Sequence, residues 1–371
     1  MHRAAVDSPI MRIRNLTAAG MLGALLLPAA ADAATKPVFR GPPPKGELKG
    51  VKGPAFDSSF YPNRITLRAG DKIKLTTLGF GDTLFVPKGQ RAPAFAVPGR
   101  AGSQSPVSGA KDAAGGDMWF NGQPAFAPNP AVIMPSGGNV IDGGKVVGSG
   151  LALDGPPKPW VVTFPKAGRY VLRSGLQPGV TLTVNVKKGT KTTAGSSQAG
   201  GGASAESADQ ARIRRQLRAN AKLANRLLKY KGPKGNVVRA GNDAKGVATI
   251  AFFPAKKTVK VGDTVTFAMS AHSIETHNVA FGPKPYLDVH AKNFFGPVFE
   301  PFVTFRSEAP GTPITFDGAN HGNGYVNTGV MDANRNTPLP SSEKVTFTKA
   351  GTYAYYCAVH GNDMAGKIVV K

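Results

Sequence analysis

The residues that could do chemistry lie near the end of the chain. Cys357, His360 and Met364 fall within the run Cys357-Ala358-Val359-His360-Gly361-Asn362-Asp363-Met364. They offer a thiolate, an imidazole and a thioether. Soft sulfur beside imidazole suits copper, and three strong ligands with a weak axial thioether make the blue-copper arrangement used for electron transfer. That arrangement needs a second imidazole. His277, in His277-Asn278-Val279, is the candidate, and His272 just before it is the rival. His290 and His321, in Pro- and Gly-bounded stretches, read as surface or supporting histidines. Cys357 is the only Cys, so no internal disulfide framework exists and the thiol is free or metal-bound. A free thiol outside a reducing compartment is an oxidation liability. A Cys so close to a His and a Met is better explained by metal.

The elements that position these groups are short strands. Val345-Thr346-Phe347 is followed by a Lys349-Ala350-Gly351 turn and then Thr352-Tyr353-Ala354-Tyr355-Tyr356. Alternation puts Tyr353, Tyr355 and Cys357 on one strand face. Tyr353, next to the turn, reads as a packing tyrosine corner. After Met364 the β-branched run to Val370 returns as a second strand. Cys357, His360 and Met364 are therefore expected on one loop between two strands. Small or apolar Ala358, Val359 and Gly361 suggest an apolar lip near His360 for docking.

Cys-x2-His-x3-Met on a final hairpin after Gly-Thr-Tyr-x-Tyr, with His-Asn upstream, resembles the plastocyanin/amicyanin branch of the cupredoxins. The resemblance covers residues 246–371. It implies two imidazoles and a thiolate around copper, with a distant Met: His277, Cys357, His360 and Met364. Two features depart from the family pattern. The His360-to-Met364 spacing lies between the shorter amicyanin and longer plastocyanin loops, and the stretch from His277 to Cys357 is longer than in a small plastocyanin.

The chain repeats itself. Phe60-Tyr61-Pro62 and the run Ile65 to Leu75 match Phe252-Phe253-Pro254 and the run from Thr258 to Phe267 at a constant offset of 192 residues. Val162-Thr163-Phe164-Pro165-Lys166-Ala167-Gly168-Arg169-Tyr170 mirrors the segment from Val345 to Tyr353. This is an internal duplication. The first copy has Ser174 for Cys357 and Gln177 for His360, with Thr83-Leu84-Phe85 near the His277 position. It is expected to be metal-free.

Four segments follow: an export signal at 1–33, a metal-free cupredoxin-like domain at 34–188, a linker and basic helix at 189–231, and a copper-binding domain at 232–371. The signal rests on Arg12 and Arg14, the apolar run from Leu16 to Ala31 and the Ala31-Asp32-Ala33 cleavage pattern. The linker is Gly/Ser-rich. Ile213, Leu217, Ala221, Ala224 and Leu228 recur at helical spacing, and the helix stops at Gly232-Pro233. It could lie on an anionic membrane or pack on a sandwich. The fold class is all-β: two Greek-key β-sandwiches joined by the linker and one amphipathic helix.

A net charge of +24 favours acidic partners or an anionic envelope surface, or serves general solubility. Export argues against nucleic acid. The expected function is an exported type 1 copper electron carrier, periplasmic, extracellular or wall-associated, with one copper, an acidic redox partner and no enzymatic activity. A copper oxidase or reductase is the alternative, and so is copper storage or delivery. The first needs further His pairs, yet no His-x-His occurs. The second favours Met/His-rich tracts, which are absent.

Overall fold

The computed structural model describes residues 33–44, 48–98, 126–152, 159–189, 208–285, 287–288, 306–308 and 311–371. Residues 1–32 of the export signal expected at 1–33, the linker segment 190–207 and the aromatic stretch Phe294 to Phe299 lie outside these residues.

Both halves are all-β, and each has two sheets around one core. Alternation builds them: Ile65 and Leu67 are buried in Arg64–Arg68, and Val265, Phe267 and Met269 in Thr264–Met269. In the first half one sheet has the order Pro159–Thr163, Lys72–Thr77, Thr35–Arg40, Phe60–Tyr61. The facing sheet begins Arg64–Arg68, Thr181–Lys187, Gly168–Arg173, Leu84–Phe85. In the second half one sheet runs Phe252–Phe253, Val237–Ala240, Thr264–Met269, Ser342–Phe347, Ile314–Phe316. The other runs Lys256–Val259, Gly361–Val370, Gly351–Cys357, Ala280–Phe281, Val326–Asn327.

The pairing repeats with the sequence. Thr35–Arg40 lies parallel to Lys72–Thr77, as Val237–Ala240 does to Thr264–Met269. Arg64–Arg68 lies parallel to Thr181–Lys187, as Lys256–Val259 does to Gly361–Val370. Even the corner repeats: Tyr170 Oη donates to Lys166 O at 2.8 Å and Tyr353 Oη to Lys349 O at 3.0 Å.

More than the linker joins the halves. Ala55–Asp57 pairs antiparallel with Val247–Thr249, one strand from each half. Ala248 and Ile274 of the second half are buried in the first half's core. The helix Ala208–Leu228 packs on this two-stranded sheet, with Leu223 and Ala224 against Val247. Its Asn220 Nδ2 donates to Asp57 Oδ2 at 2.7 Å and to Tyr61 Oη at 2.9 Å. The helix therefore packs on the strands, the second of its two expected placements. Among the described residues, no helix is long and apolar enough to cross a membrane.

Candidate metal centre

Cys357 ends the strand Gly351–Cys357, and His360 closes the turn before Gly361–Val370. His360 N–H donates to Cys357 O at 3.1 Å, and Gly361 takes φ +66°, where a residue without Cβ is at ease. His277 stands just before Ala280–Phe281, the strand that pairs with Gly351–Cys357 in the same sheet. It forms a bridge with Met331, exchanging backbone bonds of 3.1 and 2.7 Å. Asn278 locks the two segments together. Its Oδ1 accepts from Ala358 N–H at 2.7 Å, and its own N–H points to Cys357 Sγ at 3.5 Å. Beneath Cys357, Tyr355 is wedged among Phe252, Phe267 and Phe281, with ring centroids 4.8 to 5.3 Å apart. Such edge and offset contacts add about 0.5–1.5 kcal/mol each and stiffen the strand that carries the thiol.

Three donor atoms converge. His277 Nδ1 lies 3.1 Å from His360 Nδ1, and Cys357 Sγ lies 3.8 Å and 3.4 Å from them. The ligating atoms of His277, Cys357 and His360 all fall within 4.8 Å of one another. Burial holds His277 well below the usual imidazole range, helped by the neighbouring His360, and lowers His360 to about 4. Burial pushes the Cys357 thiol up to about 11. Both imidazoles are therefore neutral donors at pH 7, and the thiol keeps its proton until a cation displaces it. Two borderline nitrogens and one soft sulfur aimed at a common point fit copper.

Met364 is fully buried in the same core cluster as Cys357. It stands in the strand Gly361–Val370, beyond the turn where the sequence placed it. Cys357 pairs with Gly361 and Tyr356 with Ala365, so residues 362–364 form a bulge between those pairs. The rival histidines are elsewhere. His272 is exposed, and His321 Nε2 faces Glu308 Oε1 at 3.3 Å. His290 lies outside the described residues.

The first half has a matching place. Gly81 bridges Ala152 as His277 bridges Met331, so Gly81 is the structural counterpart of His277. The 192-residue offset of the opening strands fails here, because the second half is longer before this point, and the expected Thr83-Leu84-Phe85 falls past the position. Asp82 matches Asn278: its Oδ2 accepts from Gly175 N–H at 2.8 Å, as Asn278 accepts from Ala358. Ser174 and Gln177 fill the Cys357 and His360 positions. The guanidinium of Arg40 lies among them, donating to Asp82 O, to Ser174 Oγ at 2.9 Å and to Gln177 Oε1. Arg40 is 1% exposed and Asp82 0%. A Cβ on Gly81 would lie 2.5 Å from the guanidinium.

The buried side chain of Glu275 lies between the two places. Glu275 Oε1 accepts from Gln177 Nε2, and its Oε2 lies 4.0 Å from His360 Nε2. Burial, the largest cause, raises its carboxyl to about 8. The lip expected beside His360 is largely closed: Ala358 is buried and Val359 packs on the core. Arg40, Gln177 and Glu275 were not singled out as a group by sequence reasoning. Gln177 was noted only as a missing ligand; its position opposite His360 was the available signal.

Residues 239–371 match the copper binding proteins of the plastocyanin/azurin family. Solved structures similar to the chain include a reduced mutant of amicyanin, at 26% identity over 36% of this chain and 80% of that one, TM-score 0.20. Amicyanin from Paracoccus versutus follows at 19% identity over 38% and 83%, TM-score 0.21. A mutant plastocyanin of a fern shows 19% identity over 36% and 99%, TM-score 0.20. No curated protein matches. The plastocyanin/azurin match contains all three converging donors.

Proposed function

We propose that the chain is an exported type 1 copper electron carrier and not an enzyme. The convergence of His277 Nδ1, Cys357 Sγ and His360 Nδ1 in a buried, pre-set cluster carries this reading. Met364, buried in the same core cluster as Cys357, is the proposed axial ligand. A copper held there supplies one-electron chemistry. The protein's own part is to keep the donors fixed and dry. Cys357 and His277 are 0% exposed, so water reaches neither. Asn278 holds the thiol and the His277 segment in one register through the hydrogen bonds above. The proposed redox partner is acidic: the helix Ala208–Leu228 exposes Arg214, Arg215, Arg218, Lys222 and Arg226. The same ridge would favour an anionic envelope surface.

Metal analysis and a visible spectrum of the copper-loaded protein test this. One tightly bound copper and an intense blue band are expected. Two or more tightly bound coppers would return the oxidase or reductase reading, and one labile, colourless copper the storage or delivery reading.

A further inference from the structure

We propose that the first half is a clamp on the loop that carries His277, and that Ile274 is the positioning residue through which it holds that histidine. What the clamp does to a metal rests on the copper reading above; the grip on the loop does not.

The segment that carries His277 leaves its own core and returns to it. Met269, at the end of Thr264–Met269, is buried in the second half's core, and so is Val279. Between them Ile274, 3% exposed, is buried in the core of the first half. His277 stands on the returning arm, three residues past Ile274. A chain of that length spans at most about 11 Å. A β-branched side chain has little freedom at χ1, and a close-packed core transmits strain instead of absorbing it. Ile274 is therefore a fixed point next to a ligand, and the first half supplies the fixing.

Two further contacts secure it. Asp243 Oδ2 accepts from Ile274 N–H at 3.1 Å, and Asp243 Oδ1 accepts from Thr249 N–H at 2.9 Å. One carboxyl group thus ties the loop to Val247–Thr249, the strand that pairs with Ala55–Asp57 and sends Ala248 into the same core as Ile274. The first half answers with Phe56. It stands opposite Ala248 and packs against both cores. His277 is held from its own half by the Met331 bridge and from the other half by Ile274. The half without copper ligands thereby sets where one of them stands.

The test uses the full chain and three variants. Ile274→Ala and Ile274→Val shorten the gripping side chain by different amounts. Leu67→Ala opens the same core at its other end, where Leu67 pairs with Val186 beside Gly168, away from Ser174. In metal-free protein, amide hydrogen exchange is read at His277 and Met331, whose N–H groups bond across the bridge at 3.1 and 2.7 Å. Ile274→Ala should speed both by about tenfold or more relative to Leu67→Ala, and Ile274→Val should do so to a smaller extent. After copper loading, Ile274→Ala should bind copper about tenfold more weakly, as when a group that orients a ligand is lost. Its visible band should shift as well. Ile274→Val should lie between it and the wild type, and Leu67→Ala should keep the wild-type band and affinity. Should Ile274→Ala not fold, Ile274→Val against Leu67→Ala decides alone. Equal exchange at His277 in the Ile274 and Leu67 variants would overturn the clamp, and so would an unmoved band and affinity in the Ile274 variants. A wild type that binds no copper would instead sink the copper reading, and the exchange arm would still decide on the clamp.

Discussion

At matching points the first half places Gly81 and Arg40, and the second places His277 and Ala240. The exchange is reciprocal. Where the bridge residue lacks a side chain, a long one enters from the neighbouring sheet; where the bridge residue is an imidazole, that neighbour is small. Both ends of the chain's duplication keep the same backbone frame around the gap. In one the gap is closed by a cation carried on the chain, bound to Asp82, Ser174 and Gln177. In the other, the donor atoms of His277, Cys357 and His360 converge. A frame of this kind can lose its metal without collapsing if the chain supplies its own positive group.

Four sets of substitutions test this reciprocal arrangement. The largest effect is expected from Cys357→Ser, which gives the second half the residue found at Ser174. The blue band should vanish completely, since the colour comes from the thiolate–copper bond, and circular dichroism should show the sheets intact. A blue Cys357→Ser protein would remove Cys357 from the site.

Next comes Arg40→Met, which leaves Asp82 buried without its partner. Breaking a buried pair costs about 3–5 kcal/mol, whereas replacing both members can be nearly neutral. Denaturant melts should show that loss, and Asp82→Asn in the same chain should recover much of it. The copper count should stay at one throughout. A single Arg40→Met that costs nothing would mean that the guanidinium does not fill the place of a cation.

A paired glycine substitution is subtler. Gly41 and Gly241 both have positive φ, +84° and +69°. Alanine at either should cost about 1–2 kcal/mol from backbone conformation alone. A Cβ on Gly241 would also lie 2.7 Å from His277 Nε2, while one on Gly41 would meet Leu78 O at 2.8 Å. Gly241→Ala alone should therefore weaken copper binding and shift the visible band. Equal spectra for the two variants would refute the link between Gly241 and the His277 ring.

The smallest effect should come from Met364, whose counterpart in the first half is the buried Val180. Met364→Leu should keep the copper and raise the potential, and Met364→Gln should keep it and lower the potential. Voltammetry beside a thermal melt checks this. Unchanged potentials with lower stability would make Met364 core packing only.

The alternation of Val265, Phe267, Tyr353 and Tyr355 was legible in the sequence because period-two burial leaves its mark on each strand. So were Cys357 and His360, whose spacing is local. His277 was legible only in part: its distance from Cys357 along the chain hid the contact, and its exposed rival His272 carries the same chemistry. Gly81 was misplaced because a change in loop length before it breaks the register of the repeat. Arg40, Asp82 and Glu275 are buried charges that no local pattern in the sequence marks. Nothing in a run of residues marks a charge as buried when its partners lie far away in the chain.

The strand shared between the halves also bears on how the chain assembles. Ala55–Asp57 emerges early in synthesis, but its partner Val247–Thr249 follows about 190 residues later, and pairing so distant in sequence is slow. Until then the first half has an open strand edge and lacks Ala248 and Ile274 from its core. It can complete itself only once the opening part of the second half, through Ile274, exists. Such a chain stays incompletely folded for longer as it is made, with an edge that another copy could occupy.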